Sequence, residues 1–210
     1  MADYKGRVFE YVRNDEASKI KSDISFLIRE LQKSLKEEGV TFNPVLVGPS
    51  KENFVTREVN GTTGIDIHYN LLLQKYPDKT AKQLRMLFLS TINNILKNKG
   101  FKNTINNYQS ITALMPDRIE KEVIHSIDFA IVIDKKEQQD ILIYDRKNSE
   151  YFFETRESIN LLDDLTYDIK NNGLWEDLRD LYLNMKNYND NKDIRTFEIY
   201  KEAIKNIMKK

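Results

Sequence analysis

No cysteine occurs among the 210 residues. Disulfides, thiolate nucleophiles and Cys-ligated zinc or iron–sulfur sites are therefore excluded, and any metal must be held by oxygen or imidazole. Histidine is nearly as scarce. His68 and His125 are the whole supply, so an HExxH zinc helix cannot be built. Seven Gly and four Pro leave little room for long linkers, which favours one domain, with or without a helical appendage. No apolar run approaches the roughly 18 residues of a membrane span. The N-terminal stretch carries Asp3, Lys5, Arg7 and Glu10 and has no signal-peptide core. The expectation is a cytoplasmic protein without a membrane partner. Net charge is missing too: 33 Lys+Arg meet 33 Asp+Glu. A chain without a positive surplus lacks the global footprint of a protein that coats nucleic acid, so a long polynucleotide is the less favoured partner. P-loop, GxGxxG and GxSxG motifs are all absent.

What is present is a well-patterned globular sequence, 40% hydrophobic and 31% charged, too apolar for a disordered polyampholyte. Apolar residues at three- and four-residue steps (Ile20, Ile24, Leu27, Ile28, Leu31, Leu35) predict a helix over about 15–38, with Gly39 beyond its end. Val45-Leu46-Val47 reads as a short strand stopped by Gly48-Pro49-Ser50. Alternation over 65–73 predicts a strand. Ile65, Ile67 and Tyr69 face one way, and Asp66, His68 and Asn70 the other. Thr80-Ala-Lys-Gln83 fits a capping box, opening a helix that carries Leu84, Leu87, Phe88, Ile92, Ile95 and Leu96 and ends at Gly100.

Strands are expected over 109–115, over 122–134 (the strongest), over 141–144 and over 151–153, the last two joined by a turn at 146–149. From Glu157 onward the pattern is helical. Ile159, Leu162, Leu165 and Ile169 form one face, and Leu174, Leu178, Leu181, Tyr182 and Met185 another. A polar connector follows at 187–193, and a last helix runs from Ile194 to Met208. Tyr151, Phe152 and Phe153 read as core and Trp175 as a helix-packing residue. Lys201, Lys205, Lys209 and Lys210 read as a solvated face. The fold class is α+β: a mixed sheet flanked by helices, with a C-terminal helical region. The division expected is an N-terminal helix over 1–40, a core over 41–155 and helices over 156–210.

The polar residues Asp66, His68 and Asp128 stand inside the two most apolar strands. An ionised carboxylate there costs several kcal/mol unless it is solvated, paired or metal-bound. Asp66 and His68 leave the same strand face with Cβ atoms roughly 6–7 Å apart, close enough to converge on a cation. Asp128 completes the set if its strand is adjacent, with Asp134 its substitute if the register differs. Gly48 and Ser50 close a strand where backbone N–H groups and a hydroxyl can hold a phosphate. The plainer alternatives are a buried hydrogen-bonded Asp66, a satisfied strand histidine at position 68 and an ordinary turn serine at position 50.

The order Val45-Leu-Val-Gly-Pro-Ser50, then Gly64-Ile-Asp-Ile-His68, then Ser126-Ile-Asp-Phe129 resembles the polymerase-β-like nucleotidyltransferase superfamily, in a variant Asp-x-His form. The branch it resembles is bacterial, minimal or cyclic-oligonucleotide-synthase-like. The hairpin-like segment 141–153 looks like the one that follows the third carboxylate in several bacterial members. The resemblance covers about residues 40–155. It implies Asp66, His68 and Asp128 as catalytic and metal-binding residues, Gly48 and Ser50 as phosphate-binding residues, Mg²⁺ or Mn²⁺ as cofactor and a nucleoside triphosphate as substrate. The implied reaction moves a nucleoside monophosphate to an acceptor hydroxyl on a small molecule, nucleotide or protein. The sequence departs from the family pattern at His68, which replaces a carboxylate, and at Pro49. Imidazole is a poor magnesium ligand, so His68 leaves three readings open: altered metal use, a single-metal site, or lost catalysis. The second functional reading is an inactive relative that binds a nucleotide or a partner protein.

Overall fold

The computed structural model describes residues 7–99, 103–117, 122–135, 137–158, 160–189 and 194–209. The chain begins with β1 (Phe9–Tyr11) and the long helix α1 (Asn14–Glu37), then β2 (Thr41–Leu46), a 3-10 turn at Gly48–Ser50, β3 (Thr56–Glu58) and β4 (Thr63–Lys75). Helix α2 (Ala81–Asn98) leads to β5 (Asn103–Asn106), β6 (Ile111–Pro116), β7 (Ile124–Lys135), β8 (Gln138–Asp145) and β9 (Glu150–Glu157). Helices α3 (Asn160–Asn171), α4 (Trp175–Asn187) and α5 (Thr196–Ile207) complete the α+β fold. Among the described residues no helix is long and apolar enough to cross a membrane.

The main sheet is mixed. Its path is β2-β4-β7-β6-β5, with β8 pairing β7 and β9 pairing β8, while β1 and β3 form a separate ribbon. Among the described residues only β4 and β7 pair in parallel; the other pairings are antiparallel. A parallel neighbour needs a crossover, and α2, β5 and β6 supply it.

The period of two explains why the sheet holds together. Odd positions in the central strands (Ile65, Ile67, Leu71; Ile127, Phe129, Ile131; Ile111, Ala113) are buried in one cluster with Ile24, Leu27, Leu31 and Leu35 of α1 and Leu84, Phe88 and Ile92 of α2. Even positions carry the polar set on the opposite face. A second cluster joins Phe54 to Ile169, Leu178, Tyr182, Ile199, Tyr200 and Ile204 of the C-terminal helices. The capping box at α2 forms as expected: Gln83 N–H donates to Thr80 Oγ1 at 3.2 Å, and Thr80 N–H donates to Gln83 Oε1 at 2.8 Å.

Several boundaries differ from expectation. β2 starts four residues before Val45 and contains Pro44, which is tolerated because β2 is an edge strand. β1, β3 and β5 are strands of three or four residues with no readable period. β9 runs through Glu157, so the helical part begins at Asn160. Phe152 lies exposed on β9 while Phe153 packs on the core. Ile194 precedes α5 and is exposed, as is Met208 at its end. Trp175 packs on Phe54, ring centroids 4.8 Å apart, as a helix-packing residue should. Gly100, Ile159, Lys210 and most of the 187–193 connector lie outside the described residues.

Candidate active site

Parallel pairing sets the site. Asp66 is opposite Ser126 and His68 opposite Asp128, while Thr112 of β6 is opposite Asp128 on the other side. All five are on even positions, so their side chains leave the sheet on one face. His68 Nε2 lies 3.4 Å from Asp66 Oδ2 and 3.8 Å from Asp128 Oδ2. Asp66, His68 and Asp128 each offer a ligand atom within 4.8 Å of the others. The expected register holds, and Asp134 lies instead at the exposed end of β7, opposite Gln139.

Each carboxylate is steered by a hydroxyl. Ser126 Oγ donates to Asp66 Oδ1 at 2.7 Å, and Thr112 Oγ1 donates to Asp128 Oδ1, itself accepting from Asn107 Nδ2 at 2.6 Å. With the Oδ1 atoms engaged, the Oδ2 atoms are the ones that converge on His68. Burial works against ionising Asp66. His68, Lys186 and the hydroxyls of Ser126 and Thr196 outweigh it and hold its carboxyl below the usual range. Asp128 is pushed up, by burial first and then by the charge of Asp66, with His68, Thr112 and Arg195 opposing. Two carboxylates sharing one site separate in this way because both cannot ionise freely.

The C-terminal helices close the site from above. Lys186 of α4 is buried, with Nζ 2.7 Å from Thr56 Oγ1 and 3.4 Å from Thr196 Oγ1. Phe197 of α5 leans on His68, ring centroids 6.2 Å apart. Its ring also lies against Gly48, where a Cβ would come within 2.4 Å of it. Gly48 has φ +60°, a left-handed conformation that favours glycine, so two independent constraints keep this position small. Ser50 is buried and its hydroxyl is engaged: it accepts from His68 N–H at 3.3 Å and donates to the Asp66 carbonyl at 3.4 Å. The turn is thus built against β4 and covered by α5.

Burial pulls the Lys186 ammonium down to about 8, with Asp66 opposing. The unfolded chain keeps this proton up to the ordinary lysine value of 10.5. Between those pH values the unfolded state binds more protons, so this group makes unfolding harder as pH rises. Denaturant melts are expected to show that gain between about pH 8 and 10 in the wild type and to lose it in Lys186→Met.

On the other face of β4 a cavity of about 840 Å³ is lined by Ile65, Gly64, His125 and Asp117 among others. His125 Nδ1 accepts from Ile65 N–H at 3.0 Å, so Nε2 carries the proton it shares with Asp117 at 3.0 Å. This second histidine holds the two strands together just beside Asp66 and Ser126. Sequence reading did not single out His125, Ser126, Thr112, Lys186 or Thr196. Only Ser126 and Thr112 carried a signal, as hydroxyls at even positions of apolar strands.

No protein-family model matches the sequence, and no curated protein matches it. Solved structures do. DncV of Vibrio cholerae, 3′-deoxy ATP bound, superposes with TM-score 0.60 at 13% identity, covering 94% of this chain and 53% of that one. The same organism's DncV cyclic AMP-GMP synthase, in complex with a linear pppApG intermediate, gives TM-score 0.53 at 14% identity over 70% of this chain and 38% of that one. CD-NTase CdnG of Bradyrhizobium diazoefficiens, in complex with GTP, gives 0.50 at 12% identity over 83% and 43%. The chain therefore spans about half or less of the length of these proteins, and at such identities the likeness is one of fold. What the chain shares with these proteins is the α+β fold, a mixed sheet flanked by helices.

Proposed function

We propose that the chain is a nucleotidyltransferase that moves a nucleoside monophosphate from a nucleoside triphosphate to an acceptor hydroxyl. The observation that carries this reading is the convergence of Asp66, His68 and Asp128 from two adjacent strands, within 4.8 Å, beside the Gly48–Ser50 turn. In the reaction the acceptor oxygen bonds to the α-phosphorus, the bond to the β-phosphate breaks, pyrophosphate leaves and the hydroxyl proton passes to base or water. A bound divalent cation would supply charge neutralisation for the phosphates.

The chain's own residues do the rest. Asp66 and Asp128 place negative charge at the reacting end. Lys186 and Arg195 bring positive charge from the helical region toward the same carboxylates, which suits a polyanion lying between them. Gly48 and Ser50 shape the turn that would receive phosphate. The acceptor belongs to the class of small molecules, nucleotides or proteins. The division into an N-terminal segment over 1–40, a nucleotidyltransferase core over 41–155 and a C-terminal region over 156–210 goes with this reading.

The test is incubation with each labelled triphosphate and Mg²⁺ or Mn²⁺, watching for pyrophosphate release or self-labelling. Absence of both with all four triphosphates would sink the catalytic reading. A second reading, a nucleotide-binding regulator without turnover, is favoured by one feature: Phe197 covers Gly48. Triphosphate binding without pyrophosphate release would support it. On either reading the ring must move aside for a phosphate to reach the turn. Phe197→Ala is therefore expected to tighten triphosphate binding several-fold, as read by calorimetry.

A further inference from the structure

The superfamily resemblance implies Mg²⁺ or Mn²⁺, and the residues present do not fit magnesium. Hard Mg²⁺ demands oxygen ligands in near-ideal octahedral geometry. Here one of the three converging positions is an imidazole. An imidazole in place of a carboxylate there removes an oxygen donor and one negative charge. What is left, two carboxylate oxygens and one nitrogen, matches a different ion.

The spacing is the first argument. A transition-metal ion binds nitrogen and oxygen at roughly 2.0–2.2 Å, so its donors stand roughly 3–4 Å apart around it. His68 Nε2 stands 3.4 Å from Asp66 Oδ2 and 3.8 Å from Asp128 Oδ2. Both histidine–carboxylate spacings are thus those of donors around one ion, and all three donor atoms lie within 4.8 Å of one another. The second argument is restraint. Each Oδ1 is held by a hydroxyl, from Ser126 and from Thr112, so Oδ2 is the oxygen each carboxylate presents. His68 is fixed by its own N–H to Ser50 Oγ and by Phe197 against its ring.

We propose that Asp66, His68 and Asp128 form a site for a single divalent cation of the transition-metal kind, taken in preference to magnesium, and that His68 sets this choice. The inference rests on the nucleotidyltransferase reading for its biological use, but not for its test. Imidazole is a good ligand for Fe²⁺ and Zn²⁺ and a poor one for Mg²⁺, and affinity for such mixed sites rises along the first-row series from Mn²⁺, the weakest binder and the one visible to electron paramagnetic resonance.

The experiment uses the full chain, stripped with chelator and free of nucleotide, titrated with MnCl₂ under electron paramagnetic resonance. One Mn²⁺ should bind per chain, its pulsed spectrum should carry nitrogen modulation from a directly bound imidazole, and MgCl₂ should displace it only at about a 100-fold excess or more. His68→Asp should lose the nitrogen modulation and lower the required excess at least about tenfold. If that variant fails to fold, the wild-type spectrum and competition decide alone. Wild-type Mn²⁺ without nitrogen modulation, or equal competition by Mg²⁺, overturns the proposal. The two readings fail separately. Nitrogen-bound Mn²⁺ with no transfer of any nucleotide removes the enzyme and keeps the metal site. Equal transfer with Mg²⁺ and no nitrogen signal does the reverse.

Discussion

On the nucleotidyltransferase reading proposed above, Asp66→Asn is expected to lower nucleotide transfer by about a thousandfold or more while leaving the protein folded. The substitution keeps the side chain's shape, and its oxygen can still accept from Ser126 Oγ. What disappears is the charge. Stabilisation of the phosphoryl transition state at such a site is worth several kcal/mol, and each 1.36 kcal/mol is about a factor of ten in rate. Stability should change little, within about 1 kcal/mol, because burial of the ionised carboxylate opposes what His68, Lys186 and the hydroxyls return. Label incorporation from the triphosphate and a thermal melt on one preparation separate the two effects. A variant that melts normally and transfers at the wild-type rate would place the chemistry elsewhere.

The largest effect on stability is expected away from the chemistry, at Arg85. This guanidinium is completely buried in α2. Its Nε donates to Asn106 Oδ1 at 2.8 Å, Nη1 to the Leu142 carbonyl at 3.1 Å, and Nη2 to the Asn107 and Ser110 carbonyls at 2.6 Å each. One side chain thus ties α2 to β5, β8 and the β5–β6 turn. Burial pulls its pKa down to about 10, with Tyr151 and Asp128 opposing, so it stays charged at neutral pH. Arg85→Met removes the charge but leaves buried carbonyls without donors, each a loss of about 1–3 kcal/mol. A total near 3–5 kcal/mol is expected in denaturant melts. Arg85→Lys should recover only part, since an ammonium cannot reproduce the planar fork. A Met variant as stable as wild type would show that the carbonyls find other partners.

The contrast between Arg85 and Asp66 shows what the sequence could and could not say. Asp66 and His68 were legible as a same-face pair because strand alternation is a local property, fixed by the apolar residues between them. The α2 capping box was legible for the same reason. Asp128 was legible only conditionally, since its approach to His68 depends on the parallel register of β4 and β7. Lys186 gave no signal. In α4 it stands among Asn184, Asn187 and other polar residues and reads as solvent-facing, yet packing of α4 against β3 and α5 buries it beside Thr56 and Thr196. Arg85 likewise reads as a charged position on an amphipathic helix. Its burial comes from carbonyls 21 to 57 positions away, and no local pattern announces such partners. The short strands β1, β3 and β5 were missed because three or four residues cannot display a period.

The parallel pairing of β4 with β7 also has a temporal side. Asp66 and Ser126, which touch across that pairing, are 60 positions apart. A chain emerging during synthesis therefore exposes Asp66 and His68 well before the strand that completes their site exists, and closing so long a connection is among the slower events of folding. No partly made sheet can hold the triad together. A cation or nucleotide that needs all three residues then recognises the finished protein alone. Binding and stability become one quantity, and the melting temperature should climb with ligand concentration as mass action requires.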